Sequence, residues 1–358
     1  MTDGQAAPRA PFIEPKPPDW GRIAELCELS ARAERWANFG PVCSRLAETI
    51  GGMLDLGADR AVVPASSATA ALQAIAGMRA ARAGRPLNWV VSAFSFFSPA
   101  VGAFAGRIQI VDCDRTGLLD LDQVVRLEPS SFDGVIVTNV FGMTTDVSRF
   151  GEFCRARDKR LIIDNALAFP APRPLGARAA DEIISFHHTK PWGFGEGGCA
   201  VVSRDDAELV RSFLNFGVGA DPAFAGFAAN GKLSDLAAAA ILDRIERLPS
   251  WAPGYGEQRA RIARLALGAG LTILGAPPRA AISPHVPVLA PGPTSLAAAP
   301  AARFDVGKYY RPLAMGNPVA EELYARMINT PCHPGMQAIG DSELLDFFAA
   351  LAAGPDDQ

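Results

Sequence analysis

The sequence predicts an α/β fold in which a mostly parallel central sheet is flanked by helices and a smaller C-terminal α/β domain follows. Three observations lead to this prediction. Short apolar runs alternate with helical segments over more than half of the chain. Residues 134–139, 147–157 and 160–164 indicate strand, helix and strand, which is typical of a right-handed parallel crossover. Prolines 249 and 253 then indicate a boundary before a second set of elements.

The elements divide the chain into three predicted parts. Residues 1–19 contain five prolines and are expected to form a flexible or draped arm. Residues 20–248 form the predicted large domain, which ends with a helix at 233–247. Residues 249–358 form the predicted small domain, which begins with a helix at 257–267.

Composition narrows the classes of protein that the chain can represent. It has 358 residues and a formal net charge of −4, and it has no run of five or more basic residues, so we expect no nucleic-acid partner. No apolar run approaches the roughly 18–20 residues of a membrane span, and the first residues lack a signal pattern, so a cytoplasmic protein is expected. Six scattered cysteines and four histidines make no metal-binding pattern, so we expect no metal site.

Lys190 points most directly to chemistry, and it is one of only five lysines in the chain. It ends the run Ser185-Phe-His-His-Thr-Lys190, which follows a predicted strand and precedes a glycine-rich turn. An amine at a strand exit can be desolvated, which lowers its pKa and allows it to form a Schiff base. A surface lysine beside a turn is the alternative interpretation.

Asp164 ends the predicted strand at 160–164. Ligands of open α/β sheets lie at the carboxyl ends of strands, so Asp164 and the segment entering Lys190 are expected at one edge. An Asp and a Lys in one pocket suit pyridoxal phosphate (PLP), because the lysine holds the aldehyde and the carboxylate keeps the pyridine nitrogen protonated. A helix cap or turn is the alternative for Asp164.

Two further segments fit the same cofactor. Ser67, Ala68 and Thr69 begin a predicted alanine-rich helix, whose free N–H groups and partial positive charge can bind a phosphate. The alternative is a plain Ser/Thr cap. Phe96 follows a predicted strand and could stack on a flat ring, whereas its aromatic neighbours at 94 and 97 are expected in the core.

One motif suggests a different cofactor. Gly193-Phe-Gly195-Glu-Gly-Gly198 has the form GxGxxG, but a dinucleotide site requires a helix after the motif. The following residues, Cys199-Ala-Val-Val202, indicate another strand. We therefore expect a glycine turn between strands and no NAD.

The order of these motifs resembles the DegT/DnrJ/StrS aminotransferases over nearly the whole chain. The most specific matching segment is Ser185–Lys190. The other matching segments are residues 38–41, 67–72, 92–96, 108–122, 139–146, 163–166, 230–239, 309–313 and 331–334.

The resemblance implies a PLP-dependent transferase of fold type I that moves an amino group from L-glutamate to a nucleotide-linked keto sugar. The product would serve cell-surface polysaccharides or secondary metabolites. Lys190 would form the Schiff base and move the proton, Asp164 would hold the pyridine nitrogen, and Phe96 would stack on the ring. The phosphate would be bound by Ser67, Ala68, Thr69, Ser185 and, from the neighbouring subunit of a homodimer, Asn230.

Departures from the family pattern leave the substrate open. Leu167 stands where many members have Gln or His, and Gly231 and Lys232 replace an aromatic residue and an Arg. A non-enzymatic sensor and a PLP enzyme acting on a non-sugar carbonyl remain alternatives, whereas a sugar dehydratase is disfavoured because it is expected to have His in place of Lys190. Further candidates for substrate contact, each with an equally good structural interpretation, are His187, His188, Lys232, Tyr309, Tyr310 and His333.

Overall fold

The structure is a computed structural model and describes residues 9–144, 146–170, 176, 179–275 and 282–354. A seven-stranded sheet forms its centre, in the order β1-β7-β6-β5-β4-β2-β3. Only β7 runs antiparallel to its neighbours. The strands are β1 Arg60–Ala65, β2 Trp89–Ser92, β3 Ile108–Val111, β4 Gly134–Thr138, β5 Arg160–Asp164, β6 Asp181–Ser185 and β7 Gly198–Ser203.

A second sheet has three antiparallel strands in the order β10-β9-β8. Its strands are β8 Thr272–Ile273, β9 His285–Leu289 and β10 Met327–Pro331. The two sheets and their helices confirm the predicted α/β class with a mostly parallel central sheet. The division at residue 248 stays a prediction.

The helices pack against the faces of these sheets and bury their apolar sides. None of the described helices is both long and apolar enough to cross a membrane. The helices are α1 Trp20–Arg32, α2 Pro41–Met53, α3 Ala68–Ala83, α4 Leu121–Arg126, α5 Ser148–Ala156, α6 Arg204–Leu214, α7 Asp235–Glu246, α8 Leu248–Gly268, α9 Pro318–Arg326 and α10 Asp341–Ala353.

Helix α3 has clear start and stop residues. Ser67 caps its first turn by accepting a hydrogen bond from the backbone N–H of Ala70 at 3.0 Å. Its alanine-rich sequence favours the helix, which ends at Gly84 in the left-handed region (φ +70°). Arg79 of α3 makes a two-bond ion pair with buried Asp181 at 2.6 and 2.7 Å, so the helix is tied to the start of β6.

Helix α8 is longer than the sequence predicts. The expected helix covered residues 257–267, but α8 begins at Leu248 and includes both Pro249 and Pro253. Pro249 lies in the first turn, where a missing N–H costs nothing because that group has no partner within the helix. Pro249 therefore begins a helix here, whereas Pro253 lies inside the helix and has no N–H to donate to the carbonyl of Pro249.

Residues 9–19, the described part of the predicted arm, contact segments that lie beside both sheets. The backbone of Ala10 pairs with Phe304, and the carbonyl of Pro11 contacts His333 Nε2 at 2.8 Å. Lys16 is only 6% exposed. Residues 9–19 therefore form a draped segment in this structure.

Candidate active site

A cavity of about 340 Å³ lies where the carboxyl ends of β5 and β6 meet the start of α3. This is the edge at which ligands of open α/β sheets bind. Seven of the eight site residues expected from the sequence line it: Ser67, Ala68, Thr69, Phe96, Asp164, Ser185 and Lys190.

Lys190 lies in a tight turn after β6. Its backbone N–H donates to the carbonyl of His187 at 2.8 Å, and the N–H of Gly193 donates back to the Lys190 carbonyl at 3.0 Å. A Cβ at position 193 would lie 2.3 Å from the His187 oxygen, so the turn requires glycine there. Burial lowers the pKa of the Lys190 amine to about 8, although nearby Asp164 opposes this shift.

Asp164 is the last residue of β5 and is 2% exposed. One of its oxygens accepts a hydrogen bond from the N–H of Ala166 at 3.0 Å. Burial raises the pKa of this carboxyl, while the Ala166 hydrogen bond and Lys190 oppose the rise. A buried carboxylate with spare hydrogen-bonding capacity is suited to pair with a protonated ring nitrogen.

The start of α3 forms a cradle of small groups. Ser67 uses its oxygen as the helix cap, and its O–H remains able to donate. The backbone of β7 approaches so closely that a Cβ at Gly198 would lie 2.3 Å from the nitrogen of Ala68. Thr69 and Ser185 add hydroxyls to the same wall. The free N–H groups and dipole of a 16-residue helix suit a phosphate here.

The three phenylalanines after β2 differ in their surroundings. Phe94 is fully buried against Tyr310, with ring centroids 5.4 Å apart, as expected. Phe96 lines the cavity and is 49% exposed, so its face is available for stacking. Phe97 is 53% exposed, and the expectation that it packs in the core is wrong. It begins a short turn of helix at 98–100 and leans against Phe96 instead.

Several residues of the cavity were not singled out in the sequence. Asn139, just after β4, donates to Asn165 at 3.0 Å and accepts from the N–H of Thr144 at 2.9 Å. Phe12 and Ile13 reach the cavity from the arm. Phe12 and Ile13 are more than 100 residues from the other lining residues except those at the start of α3, Phe96 and Ser98, so no local pattern signals their place in the cavity.

His285 comes from β9 of the second sheet and also lines the cavity. Its ring stacks on Tyr309, with centroids 5.3 Å apart and planes 7° apart. It is 4% exposed, and neither ring nitrogen has a hydrogen-bond partner among the described residues. Burial, helped by the charge of Lys190, lowers the pKa of His285 to about 3. The ring is therefore neutral and offers one donor and one acceptor.

The remaining candidates separate into two groups. His187, Tyr309 and Tyr310 line the cavity, together with Leu167. Three others are not among the lining residues: Lys232 donates to Asn215 at 2.7 Å, His333 contacts Pro11, and His188 packs edge-on against Phe194.

Asn230 is the one expected cofactor residue that does not line the cavity. It is exposed, and its backbone pairs with that of Asn215. This position agrees with a residue that serves a neighbouring subunit, and that role stays a prediction. Among the described residues, no group of three or more His, Cys, Asp or Glu side chains could hold a metal ion.

The cavity residues fit PLP in each of its parts. Lys190 supplies an amine that is partly neutral near pH 8, Asp164 a buried carboxylate, and the start of α3 a phosphate cradle that a Cβ at Gly198 would disrupt. Together with the mostly parallel sheet, these features define a PLP-dependent transferase of fold type I. The chain belongs to the DegT/DnrJ/EryC1/StrS aminotransferase family, whose sequence profile matches residues 21–271.

A curated protein resembles this chain in sequence, and solved structures resemble it in fold. The chain is 31% identical over 249 residues to protein Rv3402c of Mycobacterium tuberculosis strain H37Rv; the match covers 66% of this chain and 60% of that protein. The structure of DesI in the presence of its TDP-sugar product superposes with a TM-score of 0.77 and 22% identity, over 97% of this chain and 93% of that one. The structure of 3-amino-5-hydroxybenzoic acid synthase superposes with a TM-score of 0.76 and 18% identity, over 96% and 97%.

These findings confirm the predicted family, fold class and cofactor. The chain spans only about three fifths of the length of the curated relative that it matches.

Proposed function

We propose that the protein is a PLP-dependent aminotransferase that moves an amino group from L-glutamate to a nucleotide-linked keto sugar, acting in the cytoplasm. The observation that carries the proposal is the Lys190 amine, with a pKa lowered to about 8, in the same cavity as the buried carboxylate of Asp164. Bound PLP supplies an electron sink for the substrate's α carbon.

Lys190 has two tasks in this proposal. Its amine would hold the cofactor's aldehyde carbon, and the same amine would act as the base and acid that moves a proton at the substrate's α carbon. A pKa of about 8 suits both tasks, because the neutral and protonated forms are both populated near neutral pH. Asp164 would keep the pyridine nitrogen of the cofactor protonated, and Phe96 would stack on its ring.

A sugar substrate is supported by three uncharged polar side chains of the cavity wall. His285, Tyr309 and Tyr310 line the cavity and offer hydrogen bonds without charge, which suits hydroxyl groups. The similarly folded DesI was solved in the presence of its TDP-sugar product. The product would serve cell-surface polysaccharide or secondary-metabolite synthesis.

A non-sugar carbonyl is the second candidate substrate. The similarly folded 3-amino-5-hydroxybenzoic acid synthase carries an aromatic compound in its name. In this chain Leu167, Phe12 and Ile13 give the cavity an apolar side that could receive such a ring.

A homodimer is part of the proposal. Asn230 is exposed beside two large apolar side chains, Phe216 and Val218, which are 63% and 65% exposed. Phe96, which lines the cavity, and its neighbour Phe97 are also about half exposed. Apolar groups exposed to this extent are typical of a surface that a partner covers, and a second copy would cover them while bringing Asn230 to a phosphate site.

Visible absorbance spectroscopy tests the proposal. Wild type mixed with PLP is expected to show the band of the Lys190–cofactor linkage, which L-glutamate should remove by converting the cofactor to its amine form. Lys190→Ala should show neither change. Keto-sugar nucleotides, and in parallel aromatic ketones, should then restore the band. Absence of the band in wild type would refute the proposed aminotransferase activity. The alternative would then be a non-enzymatic sensor that keeps the fold.

A further inference from the structure

Lys16, in the arm, contacts the turn that carries Lys190. Its ammonium donates hydrogen bonds to the backbone carbonyls of His188, of Lys190 at 2.6 Å, and of Gly193 at 3.0 Å. An ammonium has three N–H groups, so this contact uses all of them. The partners lie 172 to 177 residues away along the chain.

Among the described residues, few other hydrogen-bond donors reach the carbonyls of this turn. The Lys190 carbonyl also accepts a hydrogen bond from the N–H of Gly193. Arg244 donates to the neighbouring carbonyl of Pro191 at 2.8 Å. No backbone bond to the carbonyls of His188 or Gly193 occurs among the described residues. Without Lys16, the carbonyls of His188 and Gly193 would lose this donor, and the backbone of the turn would shift to find another.

The arm holds Lys16 in place from both sides. Before it, Glu14 makes a buried ion pair with Arg244 and accepts from Tyr255 at 3.0 Å. After it, Arg247 donates to the carbonyl of Pro17 at 3.0 Å. The prolines at 15, 17 and 18 restrict the backbone between these anchors. The side chain of Lys16 is thus held in place against the turn and is not a mobile surface group.

We propose that Lys16 is a positioning residue for Lys190: by gathering three carbonyls of the turn, it fixes the backbone from which the reactive amine extends. This inference rests on the proposed role of Lys190. Lys16 itself does not line the cavity, so it acts through the turn and touches neither cofactor nor substrate. Burial first, and then the charge of Arg244, lowers the pKa of Lys16 to about 7, whereas its three acceptors favour the charged form.

The test separates cofactor binding from amine placement. Pyridoxine 5′-phosphate lacks the aldehyde and cannot react with Lys190, so its affinity reports the cradle and Asp164 alone. Lys16→Met is expected to bind it within about twofold of wild type, because those groups remain. The rate at which PLP forms its linkage with Lys190, followed by absorbance, is expected to fall about 10²-fold, as a misplacement of ~1 Å can cause.

Lys308→Met is the matched control. Lys308 also donates to two backbone carbonyls, those of Thr294 at 2.6 Å and Ala325 at 2.9 Å, but it is not among the cavity's lining residues. Its variant should keep both readouts. Lys16→Arg, which keeps the charge but not three donors at one point, should react with PLP at an intermediate rate.

The outcomes are distinct. A wild-type linkage rate in Lys16→Met, or equal losses of both readouts, would overturn the positioning role. If Lys16→Met does not fold, a wild-type rate in Lys16→Arg would overturn it as well. Absence of any linkage in wild type would refute the proposed function, and the positioning role with it.

Discussion

Asp164 and Lys190 line one cavity, and each residue's charge opposes the effect that burial has on the other's pKa. Burial raises the pKa of the Asp164 carboxyl and lowers that of the Lys190 amine. The nearby Lys190 holds the Asp164 pKa down, and Asp164 holds the Lys190 pKa up. The pair therefore places an amine whose pKa is lowered to about 8 in the same cavity as a buried carboxyl group that supports its charge.

The pH dependence of the Lys190 amine follows from this pair. Only the neutral amine reacts with an acylating reagent, so labelling of the cofactor-free protein by acetic anhydride should rise with pH and be half-maximal at about pH 8, not at the ordinary 10.5. In Asp164→Asn the carboxylate no longer supports the ammonium, so the midpoint should move to lower pH. Mass spectrometry of the Lys190 peptide gives both midpoints, and an upward movement in Asp164→Asn would contradict the argument.

Gly198 should be essential for phosphate binding. A Cβ there would lie 2.3 Å from the nitrogen of Ala68, so Gly198→Ala must displace the start of α3. We expect PLP affinity to fall at least about tenfold, a loss of about 1.4 kcal/mol, as measured by fluorescence titration. Gly52→Ala, in α2, is the control, because no atom of the described residues lies within 4 Å of the added Cβ. Equal affinities in both variants would show that the cradle tolerates displacement.

The sequence predicted the part of the site that depends on local patterns. Strand β5 has the predicted bounds, 160–164, and α7 lies within two residues of the predicted 233–247. Alternating apolar runs and helix caps determine these elements, and strand ends determine where Asp164 and Lys190 meet. The strand that the sequence predicts after the GxGxxG motif is present as β7, Gly198–Ser203.

The sequence did not predict the contacts that join distant segments. The sequence predicts only that Lys16 belongs to a proline-rich arm, and no neighbouring residue indicates that three carbonyls of the Lys190 turn accept hydrogen bonds from it. His285 enters from β9, 95 residues beyond Lys190, and its stacking on Tyr309 depends on how the two sheets pack. The aromatic character of Phe97 predicts a core position, but the turn after β2 leaves its side chain 53% exposed.

Asp235 should be important for stability although it is remote from catalysis. It is fully buried and accepts hydrogen bonds from the N–H groups of Val42 and Cys43, each at 3.1 Å, and from the hydroxyl of Ser30 at 2.5 Å. It thereby caps α2, whose N-cap residue is glycine.

Asp235→Ala leaves those donors buried without a partner, which should cost about 3 kcal/mol in the free energy of unfolding. Urea denaturation followed by circular dichroism measures this loss. Asp205→Ala, at an exposed position in the first turn of α6, should cost only about 0.5 kcal/mol. Similar losses in the two variants would contradict the larger contribution expected from the buried hydrogen bonds of Asp235.

Subunit mixing tests whether Asn230 completes the site of a second copy. Lys190→Ala and Asn230→Ala are each expected to be nearly inactive in the exchange of L-glutamate with PLP: the first lacks the amine, and the second lacks a phosphate ligand. Unfolded together and refolded as a 1:1 mixture, half of the dimers combine one chain of each kind. In such a dimer one site has both residues and the other has neither, so activity should return to about one quarter of wild type.

If Asn230 instead serves its own chain, no site in the mixture is complete and activity stays near that of the separate variants. Sedimentation of the mixture, which should contain dimers throughout, distinguishes that result from a failure to assemble.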